Sequence, residues 1–445
     1  MNPAPDPALA TSHAEPASAA RKLGLVAAIA LVMGNMIGSG VFLLPASLAP
    51  FGWNAVGGWI AAIAGALVLA WVFARLAHAL PDAGGAVGFV HRAFGHVPAF
   101  LVSWVYLVSN LTALVTLAVA AISYLSSLVP AIGDRALLPA LLAVGMLWTM
   151  TALNLLGVRA AGVFQTVTTL VKVIPLLLVI ALAAGALTNG SAEFAPFDPA
   201  ALSLDALAGA AALTMFALLG FEAASFATDK VRDPETTVPR ATMIGTLLTG
   251  MLYLVVSSAI ALLLPAAIAS SSPAPFATFI ERFWSGGPAA LVAVFAIVSC
   301  VGALNGWTLI QGELVRTMAA QGLLPAWFGR TNARGVASRA LIVSAVACSV
   351  LALINASGTL KALFEFLLLL ATSASLWFYL AIAVAALRLG VSRPLAALGV
   401  VFALATLWGA GIGASGLSLV LMVAGLPLYW WARSSRKRGS AEQAV

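Results

Sequence analysis

Gly34-Asn35-Met36-Ile37-Gly38-Ser39-Gly40 lies inside an apolar run, Leu25 to Ala49, that is hydrophobic enough to cross a membrane. Three glycines within seven residues oppose a continuous helix, since each costs about 1 kcal/mol relative to Ala in a helix interior. In a bilayer, irregular backbone is tolerated only where it is buried in protein or lines a cavity. A helix broken at mid-membrane therefore offers free N–H and C=O groups in a protected place, which is what a zwitterionic substrate needs. The stretch predicts a transporter rather than a membrane anchor. The competing reading is that these glycines only let helices pack closely.

The composition around the stretch agrees with a membrane protein. Of 445 residues, 62% are hydrophobic and 8% charged, against about 25% charged in a soluble domain. Only burial in a bilayer accounts for that much apolar surface. The net charge of +7 raises the question of a nucleic-acid partner, but the basic residues sit at the ends of apolar segments, so none is expected. Cys300 and Cys348 both fall inside apolar segments and read as small buried hydrophobes, with no disulfide framework or metal-ligand spacing. No cofactor is implied. The Pro/Ala-rich first twenty residues have no apolar h-region, so no cleavable signal peptide is expected.

A span needs roughly 20 mainly apolar residues. Twelve stretches qualify: about 25–49, 54–79, 98–128, 136–156, 160–187, 206–227, 240–266, 287–314, 338–355, 361–387, 394–412 and 415–432. With the N-terminus in the cytoplasm, eighteen of the 22 basic residues fall on the cytoplasmic side. Arg135, Arg282 and Lys361 fall outside, and Lys172 lies within a span. That asymmetry predicts both termini cytoplasmic in an inner or plasma membrane. Residues 1–22 and 434–445 then form cytosolic tails flanking a transporter domain, 23–433.

The sixth span has its own weak point: Gly220 and Glu222 interrupt Phe216 to Ser225. Spans one and six are five apart, so the second half enters from the opposite face. Paired interruptions in two inverted halves point to a transporter binding site. The expected fold is all-α, a twelve-helix, 5+5 inverted repeat (about 25–187 and 206–387), with the last two spans (about 394–432) appended. At the first break, N–H groups near Ser39 and Gly40 favour a carboxylate. Carbonyls near Asn35 and Met36, with those near Phe216 and Leu219, favour an ammonium.

Three buried side chains carry open alternatives. Glu222 is an acid in mid-membrane: a gate latch, a proton carrier, a counter-charge to a cationic substrate, or a structural hydrogen-bond partner. Lys172 lies too deep in its span to snorkel; it exchanges a proton, occupies the place of a coupling cation, or partners broken-helix carbonyls. Trp307 lies away from the usual interfacial belt and stacks on a substrate, plugs its path, or simply packs. Glu313 and Glu365, near span ends, read as interfacial.

The segments GNMIGSGVFLLPA (34–46), PDAGGAVGFVHRAFG (81–95), GFEAAS (220–225), DPETTVPRA (233–241) and GWTL (306–309) resemble the amino acid–polyamine–organocation superfamily over nearly the whole chain. Within it they look like the basic amino acid/polyamine antiporters, especially the arginine/agmatine-exchanging branch. The resemblance implies the inverted-repeat fold and an amino acid/amine antiporter working by alternating access. It assigns Ser39 and Gly40 to a carboxylate-binding turn, and the carbonyls of Met36, Phe216 and Leu219 to an α-ammonium. Trp307 matches a gate aromatic beneath the substrate, and Tyr106, Glu222 and Tyr379 match an inner-gate trio. It also implies a homodimer as a common family habit. The chain departs from that branch where an Asn and a Ser contact the guanidinium: those positions are Leu114 and Ala371. An aromatic on span six is Phe216 rather than Trp, and a further pocket aromatic is Leu111, although Asn110 lies nearby. Lys172 resembles the lysine that stands in for sodium in other permeases of the superfamily. These departures leave a proton-coupled neutral amino-acid permease as the alternative. Either substrate is a small molecule, and the bilayer is the other partner.

An intramembrane enzyme is a third possibility, since Gly413-Ala414-Ser415-Gly416 resembles a rhomboid-type nucleophile motif. Such enzymes need a later His, whereas the histidines are His13, His78, His91 and His96, so the motif reads as a helix–helix seam. A channel would need rings of pore charge or a repeated filter loop, and neither is visible.

Overall fold

The computed structural model of the chain describes residues 24–80, 83, 85–135, 137–222, 231–284, 288–354 and 360–433. The tails expected at 1–22 and 434–445, and Ala223 to Ser225 of the sixth span, lie outside the described residues. The chain runs through sixteen described α-helices: α1 (Leu25–Met36), α2 (Ser39–Leu48), α3 (Trp53–Ala79), α4 (Ala86–Phe94), α5 (His96–Leu128), α6 (Leu138–Leu155), α7 (Val158–Thr188), α8 (Leu204–Leu218), α9 (Pro234–Leu263), α10 (Ala266–Ser271), α11 (Pro275–Phe283), α12 (Ala289–Ala320), α13 (Ser338–Ile354), α14 (Leu360–Leu389), α15 (Arg393–Gly409) and α16 (Gly411–Ala424).

Among the described residues, eight helices are long and apolar enough to cross a membrane. The α1–α2 pair, bent by 46° at the glycine cluster, makes a ninth broken span. α8, α13 and α15 are apolar but shorter, reaching roughly 22–26 Å at 1.5 Å per residue. The expected twelve is reached only by counting these three as well.

Several boundaries differ from expectation for local reasons. α9 starts at Pro234 rather than near 240, because proline's fixed φ suits a first helical position. α12 continues past 314 to Ala320; the Glu313–Arg316 pair, 2.7 Å apart and partly exposed, supports its end in water. The last two helices are separated by a turn at Gly411 (φ 82°).

α5 is the central post. It packs against α14, α12, α6, α4 and α16, and several of its buried hydroxyls are absorbed locally. Ser103, Thr112 and Thr116 donate to carbonyls one turn back, the usual outlet for helical Ser and Thr. Ser109 crosses to the Ala371 carbonyl at 2.7 Å, tying α5 to α14. Around this post α1 packs on α9 and α3 on α8, while α7 packs on α12. Cys300 and Cys348 are free and buried.

The seam expected at 413–416 runs through its serine. The Ser415 hydroxyl of α16 lies 3.4 Å from the Ser373 hydroxyl of α14, and these two helices pack together, whereas a side chain added at Gly413 or Gly416 would meet nothing within 4 Å among the described residues. Ser415 also donates to the Leu407 carbonyl at 2.6 Å, closing the turn between α15 and α16.

Candidate functional site

The first break sits where the glycine cluster placed it. α1 ends at Met36, Ile37 is extended, and α2 begins at Ser39 with no side-chain cap on its first N–H groups. A helix start leaves four such donors without intrahelical acceptors, and they point toward the break. The Ser39 hydroxyl and the Asn35 side-chain oxygen are buried beside them, both without a hydrogen-bond partner. Gly40 is required here by closeness: an added Cβ would lie 2.6 Å from the Ala217 Cβ. The first break is thereby pressed against α8.

The second break follows from α8. Leu219 leaves the helix, its N–H bonding back to the Phe216 carbonyl at 3.1 Å. That carbonyl keeps a second lone pair. Gly220 takes φ 104°, and an added Cβ would meet the Trp307 ring at 3.2 Å, so both conformation and space select glycine. Glu222 is buried immediately beyond. One carboxyl oxygen accepts from the Tyr106 hydroxyl of α5, and the other accepts from the Gly220 N–H at 3.2 Å. Tyr379 of α14 lies near that carboxyl without making a full hydrogen bond to it, and its ring packs on Phe221. The structure thus brings Tyr106, Glu222 and Tyr379 together from three elements.

Trp307 of α12 and Lys172 of α7 both address the first break. The Trp307 indole donates to the Asn35 carbonyl at 3.3 Å. Lys172 is fully buried and donates to the Gly34 carbonyl at 2.7 Å. Two consecutive carbonyls at the broken end of α1 are held by side chains from different helices.

A cavity of about 20 Å³ lies between the breaks, lined by Asn35, Met36, Gly38, Ser39, Gly40, Ala113, Leu117, Phe216, Ala217, Leu219 and Trp307. That space admits a water but no amino acid. All six residues expected to bind substrate line it. The expected side-chain pocket does not: Asn110, Leu111, Leu114 and Ala371 are absent from its lining. Leu114 and Ala371 are buried in helix packing, and the Leu111 carbonyl accepts from Cys348. α5 presents Ala113 and Leu117 instead. These were legible by helical phase: stepping from Tyr106 by seven and eleven residues stays on one face.

The chain matches the amino acid permease family over residues 23–432. It is similar to a cadaverine/lysine antiporter of Escherichia coli K12, 32% identical over 351 residues, covering 77% of each chain. It is similar also to the putrescine transporter PotE of the same strain, 30% identical over 360 residues, covering 79% of this chain and 80% of the relative. The putrescine transporter PotE of Haemophilus influenzae is 29% identical, covering 81% and 82%.

Proposed function

The chain belongs to the amino acid permease family, and we propose that it is a secondary amino acid/amine antiporter working by alternating access. The observation that carries this reading is the meeting of both breaks at one cavity. Uncapped N–H groups at Ser39 and Gly40 suit a carboxylate, while carbonyls at Met36, Phe216 and Leu219 suit an ammonium. The relatives' names concern exchange or transport of amino acids and polyamines, which supports the same direction. In this reading Trp307 closes over the bound molecule and the Tyr106–Glu222–Tyr379 cluster forms the inner gate. The protein resides in the inner membrane with both termini in the cytoplasm.

The helix pairings support a 5+5 inverted repeat. Shifting each helix by five spans turns the α1–α9 pairing into α8–α3, α5–α14 into α12–α7, and α6–α12 into α13–α5; all six pairings occur. The pairs α5–α12, α3–α9 and α6–α13 map onto themselves. Twelve spans, with α15 and α16 appended, complete the fold, and a homodimer is the assembly the family resemblance suggests.

The test is counterflow. Purified protein in proteoliposomes should take up labelled amino acid only when amino acid or amine is loaded inside. Uptake that ignores internal substrate but follows a pH gradient contradicts exchange and favours the second reading, a proton-coupled permease. The Lys172–Gly34 bond favours that second reading, because it puts an amine where a coupling cation would lie. Steady downhill ion current would favour a channel.

A further inference from the structure

We infer that Tyr124 is a second gate residue of this transporter: its hydroxyl fastens α2 and α11 to α5 at the end of the site opposite the Tyr106–Glu222 contact. The inference rests on reading the cavity between the breaks as the transport site.

α5 carries Tyr106, Ala113, Leu117 and Tyr124 on one face, because steps of about seven, eleven and eighteen residues return to the same side of a helix with 3.6 residues per turn. Ala113 and Leu117 line the cavity. A side chain added at Gly38 would meet Leu117 at 2.9 Å, so this face looks onto the first break. Tyr106 precedes Ala113, and Tyr124 follows Leu117, by two turns each, about 10 Å. Tyr106 meets the acid of the second break. Tyr124 meets the far half of the first broken span.

Tyr124 is fully buried. Its hydroxyl donates to the Phe42 carbonyl of α2 at 2.8 Å and accepts from the Phe276 N–H of α11 at 3.4 Å. A phenol can give one proton and accept another, and here the two capacities serve two different elements. The Phe276 N–H lies in the first turn of α11, where donors have no acceptor within the helix. Ser123 adds a bond from its hydroxyl to the Pro273 carbonyl at 2.9 Å, just before α11. The Phe42 ring completes the contact, edge-on to the Tyr124 ring at 6.1 Å and 4.8 Å from the Phe276 ring. All three rings are fully buried.

The hydroxyl separates this contact from ordinary packing. Phe at 124 would fill the same space and keep the ring contacts, whereas the hydroxyl's bonds survive only while α2, α5 and α11 stay together. α2 is joined to α1 through the non-helical Ile37 and Gly38, so it is the part of the span that can tilt by itself. α11 buries Phe276, Phe279 and Ile280 and exposes Glu281 and Arg282, the pattern of a cover rather than a span. Opening the cavity at this end by parting α2 from α5 breaks the Phe42 bond. In the orientation proposed above that end faces outside, so one helix face carries an inner and an outer tyrosine with the cavity between them.

The experiment reads accessibility from each side of the membrane. Leu117→Cys puts a thiol on the cavity wall, and the parent chain, with Cys300 and Cys348 buried, sets the background. A charged, membrane-impermeant methanethiosulfonate is added to right-side-out or inside-out membrane vesicles, and counterflow is measured on the parent chain in parallel. Adding Tyr124→Phe should speed labelling from outside about tenfold and leave labelling from inside unchanged or slower. Adding Tyr106→Phe should do the reverse. Ser123→Ala, a gentler change, should act like Tyr124→Phe by a few-fold. A residue that only stabilises the fold would raise labelling from both sides together. Rates that Tyr124→Phe and Ser123→Ala leave unchanged, or raise equally on both sides, overturn the inference, while persisting counterflow leaves the antiporter reading intact. Labelling from neither side in every variant overturns the placing of the cavity on the path. Absence of counterflow in folded, monodisperse parent protein overturns the transport reading, and the inference falls with either.

Discussion

The two helix breaks are built differently, and the difference divides the labour of the site. At the first, α2 begins with uncapped N–H groups and an unpartnered Ser39 hydroxyl, and the α1 carbonyls at Gly34 and Asn35 are held by Lys172 and Trp307. At the second, the chain turns through Gly220 and delivers an acid, Glu222, into hydrogen bonds with Tyr106 and its own backbone. The first break leaves donors free for a ligand. The second spends its polar groups on a latch between α8 and α5. One sequence device, glycine in an apolar span, therefore leaves donors open in one half and a hydrogen-bonded acid in the other.

The largest effect is expected where the breaks touch. Gly40→Val places side-chain atoms against Ala217, a crowding that costs about 1–3 kcal/mol and drives the breaks apart. Exchange should fall by about a hundredfold, with monodispersity monitored by size-exclusion chromatography. Gly413→Val, which enters open space, should leave exchange unchanged; equal loss in both would show that membrane glycines are sensitive in general.

Next comes the latch. Glu222→Gln keeps the shape but loses the charged acceptor, worth about 1.5–3 kcal/mol, so exchange should slow by about tenfold or more. Tyr106→Phe should slow it too, and the double variant should be little worse than either alone. Wild-type kinetics in Glu222→Ala would sink the gating role and leave a structural one.

Lys172→Met removes the buried hydrogen bond from the amine to the Gly34 carbonyl. That should cost about 1–3 kcal/mol of stability, read as a lowered thermal midpoint, with slower exchange. An unchanged midpoint would mean that water replaces the amine. The smallest effect belongs to Trp307→Phe, which keeps a ring but drops a neutral hydrogen bond to Asn35. A loss of about 0.5–1.5 kcal/mol corresponds to a few-fold weaker apparent affinity, measured by competition.

Much of this comparison was legible in the sequence, because glycines in an apolar span declare a break locally. Asn35 to Gly40 and Phe216 to Glu222 needed only hydropathy and helix propensity to be noticed. The bonds from Lys172 to Gly34 and from Trp307 to Asn35 were not legible, since each joins residues more than a hundred positions apart. The α5 residues that line the cavity differ from the expected ones for another reason. A resemblance carried positions over one by one to Leu111 and Leu114, whereas the helical phase set by Tyr106 turns Ala113 and Leu117 inward. At 413–416 the contact with α14 runs through Ser415, while the two glycines face open space.

The most direct measurement asks whether the start of α2 holds a carboxylate. Inhibition of exchange is compared for an amino acid and for the amine that differs from it only by loss of the carboxylate, in the wild type and in Ser39→Ala. The account predicts that the wild type prefers the amino acid and that Ser39→Ala reduces this preference by about tenfold while barely changing inhibition by the amine. An unchanged ratio, or equal weakening of both ligands, would contradict it.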